Sequence, residues 1–155
     1  LDEYRIYDLL SKKAPIDGFG VGTKLDTSED APYLECAYKL MEYAGTPRFK
    51  KSQGKDTIPG RKQVFRQFKD QTMDGDTLTT EGDECEGIPL LTKVMSGGRR
   101  TSAAKDTKEI ALYTRSQLKT LPAHFKALET APPYPVKISS TLTRLKEEIE
   151  GRSGL

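Results

Sequence analysis

The residues best suited to chemistry are six in a row, Gly18-Phe19-Gly20-Val21-Gly22-Thr23. They follow Ile16-Asp17, and the alternation of glycines with large residues reads as a buried strand running straight into a glycine turn. Backbone N–H groups can converge on a phosphate only where no side chain stands in the way. The C-terminal ends of strands in α/β barrels are where such donors gather. Gly20, Gly22 and Thr23 are the candidate phosphate ligands, Thr23 adding a hydroxyl, while Gly18 and Phe19 shape the turn. The same spacing also fits a tight turn or close packing without any ligand. It is not a dinucleotide fingerprint, which needs Gly-x-Gly-x-x-Gly at the opening of a helix.

A second candidate is the segment from Lys50 to Lys62, with five Lys or Arg in thirteen residues around Gly54 and Gly60. Such a loop suits a polyphosphate, arginine giving forked contacts and lysine a point charge, so Lys55, Arg61 and Lys62 are candidate phosphate or pyrophosphate contacts. A solvated hairpin loop has the same composition. The acidic run Glu81, Asp83, Glu84, Glu86 lacks the alternation of a calcium loop and reads as solvated surface. His124, the one histidine, has no Cys, Asp or Glu at ligand or triad spacing. No catalytic residue and no metal site is therefore assigned. Gly97-Gly98-Arg99-Arg100 reads as a basic surface turn, and Cys36 and Cys85, far apart in unlike contexts, as reduced thiols.

The elements that must position these residues follow from periodicity. Ile6, Leu9 and Leu10 predict a short helix over 2–12, with Asp2 as its cap. Cys36–Tyr43 is a predicted strand, with Arg48–Lys51 as its partner after the turn Gly45-Thr46-Pro47, and Gln63–Phe68 is a third. Asp74-Gly75 predicts a hairpin turn before Thr77-Leu78-Thr79, and Pro89–Met95 a further strand. Helices are predicted over Thr107–Lys119, after Pro122, and after a cap at Ser139 or Ser140; Tyr134-Pro135-Val136 reads as an extended packing tail. The class is α/β overall. Residues 1–25 form one αβ step of a larger fold, and the rest is α+β, an antiparallel strand meander with C-terminal helices.

Composition narrows the function. With 25 Lys and Arg against 23 Asp and Glu, the net charge of +2 argues against a nucleic-acid binder that works by neutralising phosphates. No stretch approaches the roughly 18 apolar residues of a membrane span, and no charged-then-apolar leader opens the chain, so a cytoplasmic protein is expected. Hydrophobic residues are only 35% of the chain, and Leu, Ile, Val and Phe together about a fifth, just above the roughly 20% below which chains stay disordered. So thin a core, and a first helix with no strand before it, point to a portion of something larger that relies on other polypeptide for burial.

Several motifs in order resemble one family: Leu1-Asp2-Glu3-Tyr4-Arg5-Ile6, Ala14–Thr23, Asp30-Ala31-Pro32, Ala37-Tyr38-Lys39-Leu40, Pro59–Arg66, Leu121-Pro122 and Tyr134-Pro135-Val136. Together they resemble the C-terminal part of nicotinate phosphoribosyltransferase. The resemblance implies an enzyme that couples nicotinate to phosphoribosyl pyrophosphate, giving nicotinate mononucleotide and pyrophosphate in NAD salvage, driven by ATP hydrolysis with Mg2+. It implies an irregular α/β barrel of the type II phosphoribosyltransferases plus a second α/β domain, in a homodimer. Residues 1–32 would be a late barrel segment with the phosphate-binding loop, and residues 33–155 a contribution to the second domain. By the same likeness Gly18–Thr23 hold the 5′-phosphate. The family's regulatory histidine, its nicotinate-binding arginine and the acidic residues nearest the ribose fall before Leu1, so this portion alone is expected to be inactive. Alternatives from the residues are a non-catalytic phosphate-binding or assembly module, or a phosphoribosyltransferase acting on nicotinamide or quinolinate.

Overall fold

The computed structural model describes residues 1–27, 31–50 and 57–152. The chain divides into two units, Leu1–Tyr38 with Ala127–Thr130, and Lys39–Lys126 with Ala131–Leu155.

In the first unit, helix α1 spans Glu3–Ser11, and Asp2 caps it as expected by accepting the Arg5 N–H at 2.8 Å. No residue of α1 is buried, and Tyr4, Tyr7 and Leu10 lie exposed. The strand expected to run from Ile16 straight into the glycine turn does not form; the chain runs irregularly to a 3-10 turn, Thr23–Leu25. The reason is that a strand needs a neighbour to complete its ladder of N–H and C=O groups, and no described residue of this unit supplies one.

The second unit contains strands β1 (Glu42–Tyr43), β2 (Thr46–Pro47), β3 (Lys62–Lys69), β4 (Thr72–Thr80), β5 (Ile88–Pro89), β6 (Met95–Ser96), β7 (Arg99–Arg100) and β8 (Val136–Ile138), with helices α2 (Thr107–Thr120) and α3 (Ser140–Arg152). Two small hairpins, β1–β2 and β6–β7, flank a four-stranded sheet in the order β5-β3-β4-β8. The predicted meander is thus corrected in one respect. The tail Val136–Ile138 joins the sheet as a strand parallel to β4, with Asp76 opposite Val136. The predicted strand over 36–43 shrinks to two residues because its first part has no partner; the Tyr38 side chain is fully exposed. Its partner is Thr46–Pro47 rather than Arg48–Lys51, and the predicted strand over 89–95 is split between β5 and β6.

The β3–β4 hairpin turns at Asp70-Gln71, not at Asp74-Gly75. Both turn residues have positive φ, +48° and +64°, the pairing that a two-residue type I′ hairpin demands. Asp74-Gly75 instead marks a bulge: Gln67 faces Gly75 while Phe68 faces Met73, leaving Asp74 as the extra residue. Helix α2 begins with a capping box, in which Asp106 accepts the Glu109 N–H and Glu109 accepts the Asp106 N–H. The helix expected after Pro122 is only a 3-10 turn, Ala123–Lys126.

The buried centre lies where α3 covers β4. Leu142 and Thr79 are fully buried and Met73 nearly so. Ser139 settles which serine caps α3, its hydroxyl oxygen accepting the Leu142 N–H at 3.1 Å. Thr79 Oγ1 donates to Asp83 Oδ2 at 2.5 Å and lies 2.8 Å from Ser139 Oγ. A hydroxyl has one proton, so the Ser139–Thr79 bond is donated by Ser139. This relay holds the Asp83 carboxyl below its ordinary value, chiefly through the Thr79 hydroxyl and then that of Thr80. A lowered carboxyl stabilises the fold above its unfolded value of about 3.9 and loses that contribution as pH falls further. Asp83→Asn is therefore expected to flatten the acid limb of a stability-against-pH profile below about pH 4. An unchanged acid limb in a denaturant-unfolding series would remove Asp83 from the balance.

Gly87, entering β5, has φ +118°, and a Cβ there would stand 2.4 Å from the Arg66 carbonyl oxygen. Backbone cannot yield as a side chain does. Gly87→Ala is expected to cost about 2–4 kcal/mol of stability, read as a lowered denaturant midpoint.

Candidate functional site

The glycine loop lies in the first unit, between the end of α1 and the 3-10 turn. Gly18, Gly20 and Gly22 are exposed, and Phe19 and Val21 half-buried. None of the three glycines has positive φ. A Cβ built on any of them meets nothing within 4 Å. Neither backbone conformation nor packing within this chain explains why these positions lack side chains. Among the described residues, the N–H groups of Gly18, Phe19, Gly20, Gly22 and Thr23 donate no backbone hydrogen bond. The Gly22 and Thr23 carbonyls are the ones engaged, accepting from Leu25 and Asp26 at 2.9 and 3.2 Å. The loop thus offers exposed donors with no side chains over them, the arrangement that an anion requires and a tight turn does not.

Arg61 and Lys62 lie in the second unit, where β3 begins; Lys55 lies outside the described residues. The Arg61 guanidinium is held by two carboxylates, Nε to Glu42 Oε1 at 2.8 Å and Nη1 to Glu81 Oε2 at 3.6 Å. Glu42 above all raises its affinity for the proton further. Lys62 Nζ donates to the Ile58 and Gly60 carbonyls, each at 2.6 Å, and burial lowers its pKa. Among the described residues it has no carboxylate partner. Upstream, the Lys50 N–H donates to Thr57 Oγ1 at 2.9 Å.

One polar cluster escaped the sequence reading. Arg66 on β3 and Asp76 on β4 face each other in register. They form a forked pair, Nε–Oδ1 2.8 Å and Nη2–Oδ2 2.9 Å. The Tyr134 hydroxyl lies 3.4 Å from Asp76 Oδ1, and the guanidinium sits over the Tyr134 ring at 5.7 Å. Arg66 and Tyr134 line an apolar groove of 460 Å³ whose walls include Met73, Leu118, Leu121 and Phe125. Opposite charges ten residues apart were the available signal, but only a turn at Asp70-Gln71 puts them in register.

The other candidates stay bland. His124 stacks on Phe125 with ring centroids 4.2 Å apart, and both cysteines are free. Gly97-Gly98 is the turn between β6 and β7, with both arginines exposed. Among the described residues, no three His, Cys, Asp or Glu side chains are placed to hold a metal ion. No described helix is long and apolar enough to cross a membrane.

Residues 76–146 match the family described as the nicotinate phosphoribosyltransferase C-terminal domain. The chain is 46% identical over 144 residues to nicotinate phosphoribosyltransferase pncB2 of Mycobacterium tuberculosis, covering 92% of this chain and 31% of that protein. It is 27% identical over 182 residues to the mouse nicotinate phosphoribosyltransferase, covering the whole of this chain and 34% of the relative. The chain thus spans about a third of the length of these relatives. The crystal structure of human nicotinic acid phosphoribosyltransferase superposes with a TM-score of 0.64 at 21% identity, over 73% of this chain and 26% of that one. That likeness shows a shared fold, mixed α/β with C-terminal helices, and the described residues contain no closed barrel.

Proposed function

We propose, from the match of residues 76–146 to the nicotinate phosphoribosyltransferase C-terminal domain, that this chain is the C-terminal part of an enzyme that joins nicotinate to phosphoribosyl pyrophosphate. In that reaction the pyridine nitrogen forms a bond to the ribosyl C1 as the C1–oxygen bond to pyrophosphate breaks, and pyrophosphate leaves with the bonding pair. The product, nicotinate mononucleotide, feeds NAD salvage. The observation that carries the assignment of a site to this chain is the loop Gly18–Thr23: exposed N–H donors, bare of side chains for no reason internal to the chain. In this reading the loop holds the 5′-phosphate, a group that does not react, so its binding energy serves to position C1.

Lys62 and Lys55 belong in the same proposal to the surroundings of pyrophosphate, where positive charge stabilises the leaving group, and Arg61 lies beside them between two carboxylates. ATP and Mg2+ belong to the proposal as its co-substrate and metal. ATP hydrolysis would supply the free energy that carries the reaction toward the mononucleotide. A cytoplasmic homodimer is part of the proposal.

The test is an assay of the full-length enzyme with nicotinate, phosphoribosyl pyrophosphate, Mg2+ and ATP, following nicotinate mononucleotide by chromatography. Formation that ATP stimulates is the expected result. No product with nicotinate, but product with nicotinamide or quinolinate, would move the enzyme to another base. No product with any of the three would leave the chain a binding or assembly module.

A further inference from the structure

Arg61 and Lys62 are adjacent cations, yet their surroundings separate them. The Arg61 side chain bridges three segments: Glu42 on β1, its own position before β3, and Glu81 after β4. The backbone joins the same three places. Gly60 N–H donates to the Met41 carbonyl at 2.8 Å, Arg48 N–H donates to that same oxygen at 2.8 Å, and Glu81 N–H donates to the Arg61 carbonyl at 2.9 Å. One cation between two carboxylates leaves this spot with a net negative charge. An incoming pyrophosphate meets repulsion there unless it displaces Glu42, whose side chain is only 20% exposed. Lys62 differs because its described partners are two neutral carbonyls, so its full charge is left to act on an anion.

Resting on the reading of this chain as part of a phosphoribosyltransferase, we infer that Arg61 is a positioning residue: it braces the β1–β2 hairpin against the start of β3 and the end of β4, and Lys62 is the cation of this pair that faces the anionic ligand. The brace keeps the Lys62 ammonium in place, because Gly60, whose carbonyl holds it, is tied by its own N–H to Met41 at the edge of the braced hairpin.

The two roles for Arg61 predict opposite signs for one substitution. If Arg61 were an anion ligand restrained by Glu42, Glu42→Gln would free it and tighten pyrophosphate binding, while Arg61→Gln would weaken it. As a brace, either change releases the same contact. Glu42→Gln and Arg61→Gln are then each expected to weaken pyrophosphate product inhibition about threefold to fivefold, in the same direction, and the double variant no more than either alone. Lys62→Gln is expected to weaken it at least as much, and adding Arg61→Gln to Lys62→Gln to weaken it no further, because the brace acts through the Lys62 ammonium.

The measurement is the inhibition constant of pyrophosphate in the full-length enzyme, with the thermal midpoint of each variant alongside. Tighter inhibition in Glu42→Gln, or additive losses in the double variant, overturns the brace. Should wild type form no nicotinate mononucleotide, the functional reading fails by itself. The brace is then read from thermal midpoints, where the Glu42 and Arg61 losses must still be non-additive and additivity overturns it.

Discussion

Gly20→Ala and Gly22→Ala in the full-length enzyme are each expected to lower kcat/KM for phosphoribosyl pyrophosphate about 30- to 100-fold while leaving thermal stability unchanged. The stability half follows from the structure: neither glycine has positive φ, and an added methyl meets nothing within 4 Å. In exposed irregular chain, replacing glycine by alanine even restricts the unfolded state slightly. The activity half follows from the proposed ligand. A methyl group beside the exposed N–H donors would keep the phosphate oxygens out of hydrogen-bond range, and losing one donor to an oxyanion costs roughly a hundredfold. Because the 5′-phosphate is bound in ground state and transition state alike, KM should carry most of the loss and kcat less. Steady-state kinetics with phosphoribosyl pyrophosphate varied and nicotinate saturating reads this directly. A variant that unfolds early, with unaltered KM, would return the loop to a packing role.

The second large effect belongs to the Arg66–Asp76 pair. Asp76→Ala is expected to destabilise the second unit by about 2–4 kcal/mol, because it strands a guanidinium whose side chain is 21% exposed beside apolar Met73, Leu118 and Leu121. The damage spreads to the tail, since Asp76 also carries the Tyr134 hydroxyl contact and its N–H donates to the Pro135 carbonyl at 3.0 Å. The double change Arg66→Met with Asp76→Leu removes both charges and should recover much of the loss, since no buried charge is then left unpaired and the groove beside Arg66 is already apolar. Denaturant midpoints of the single and double variants decide it. A loss under about 0.5 kcal/mol for Asp76→Ala would class the pair with solvent-exposed bridges.

Local chemistry was readable wherever a feature depends on residues close in the chain. The Asp2 cap, a serine cap at 139 or 140 and the run of β3 all follow from side-chain type at short spacing. The strand predicted from Ile16 into the glycine turn failed for the opposite reason: a strand is a relation between segments, and its alternation of glycine and large residues names no partner. The same holds for Cys36–Tyr43, of which only Glu42–Tyr43 found a neighbour. At Asp74-Gly75 a strong turn signal was overridden by the hairpin as a whole. Turning at Asp70-Gln71 pairs eight positions of β3 and sets Arg66 against Asp76.

By itself, then, the sequence determined the class of the chain and its kinship, the candidate anion loop, and the helix caps, because these rest on composition, motif order and contacts within a turn or two. Only the tertiary structure decided that Val136–Ile138 is a parallel strand, that Arg66 and Asp76 form a forked pair, and that Arg61 lies between Glu42 and Glu81. Those partners lie from ten to sixty residues apart. Their meeting is set by sheet register and by the burial of Leu142 and Thr79 beneath α3, and register is a property of paired backbones that neither strand carries alone.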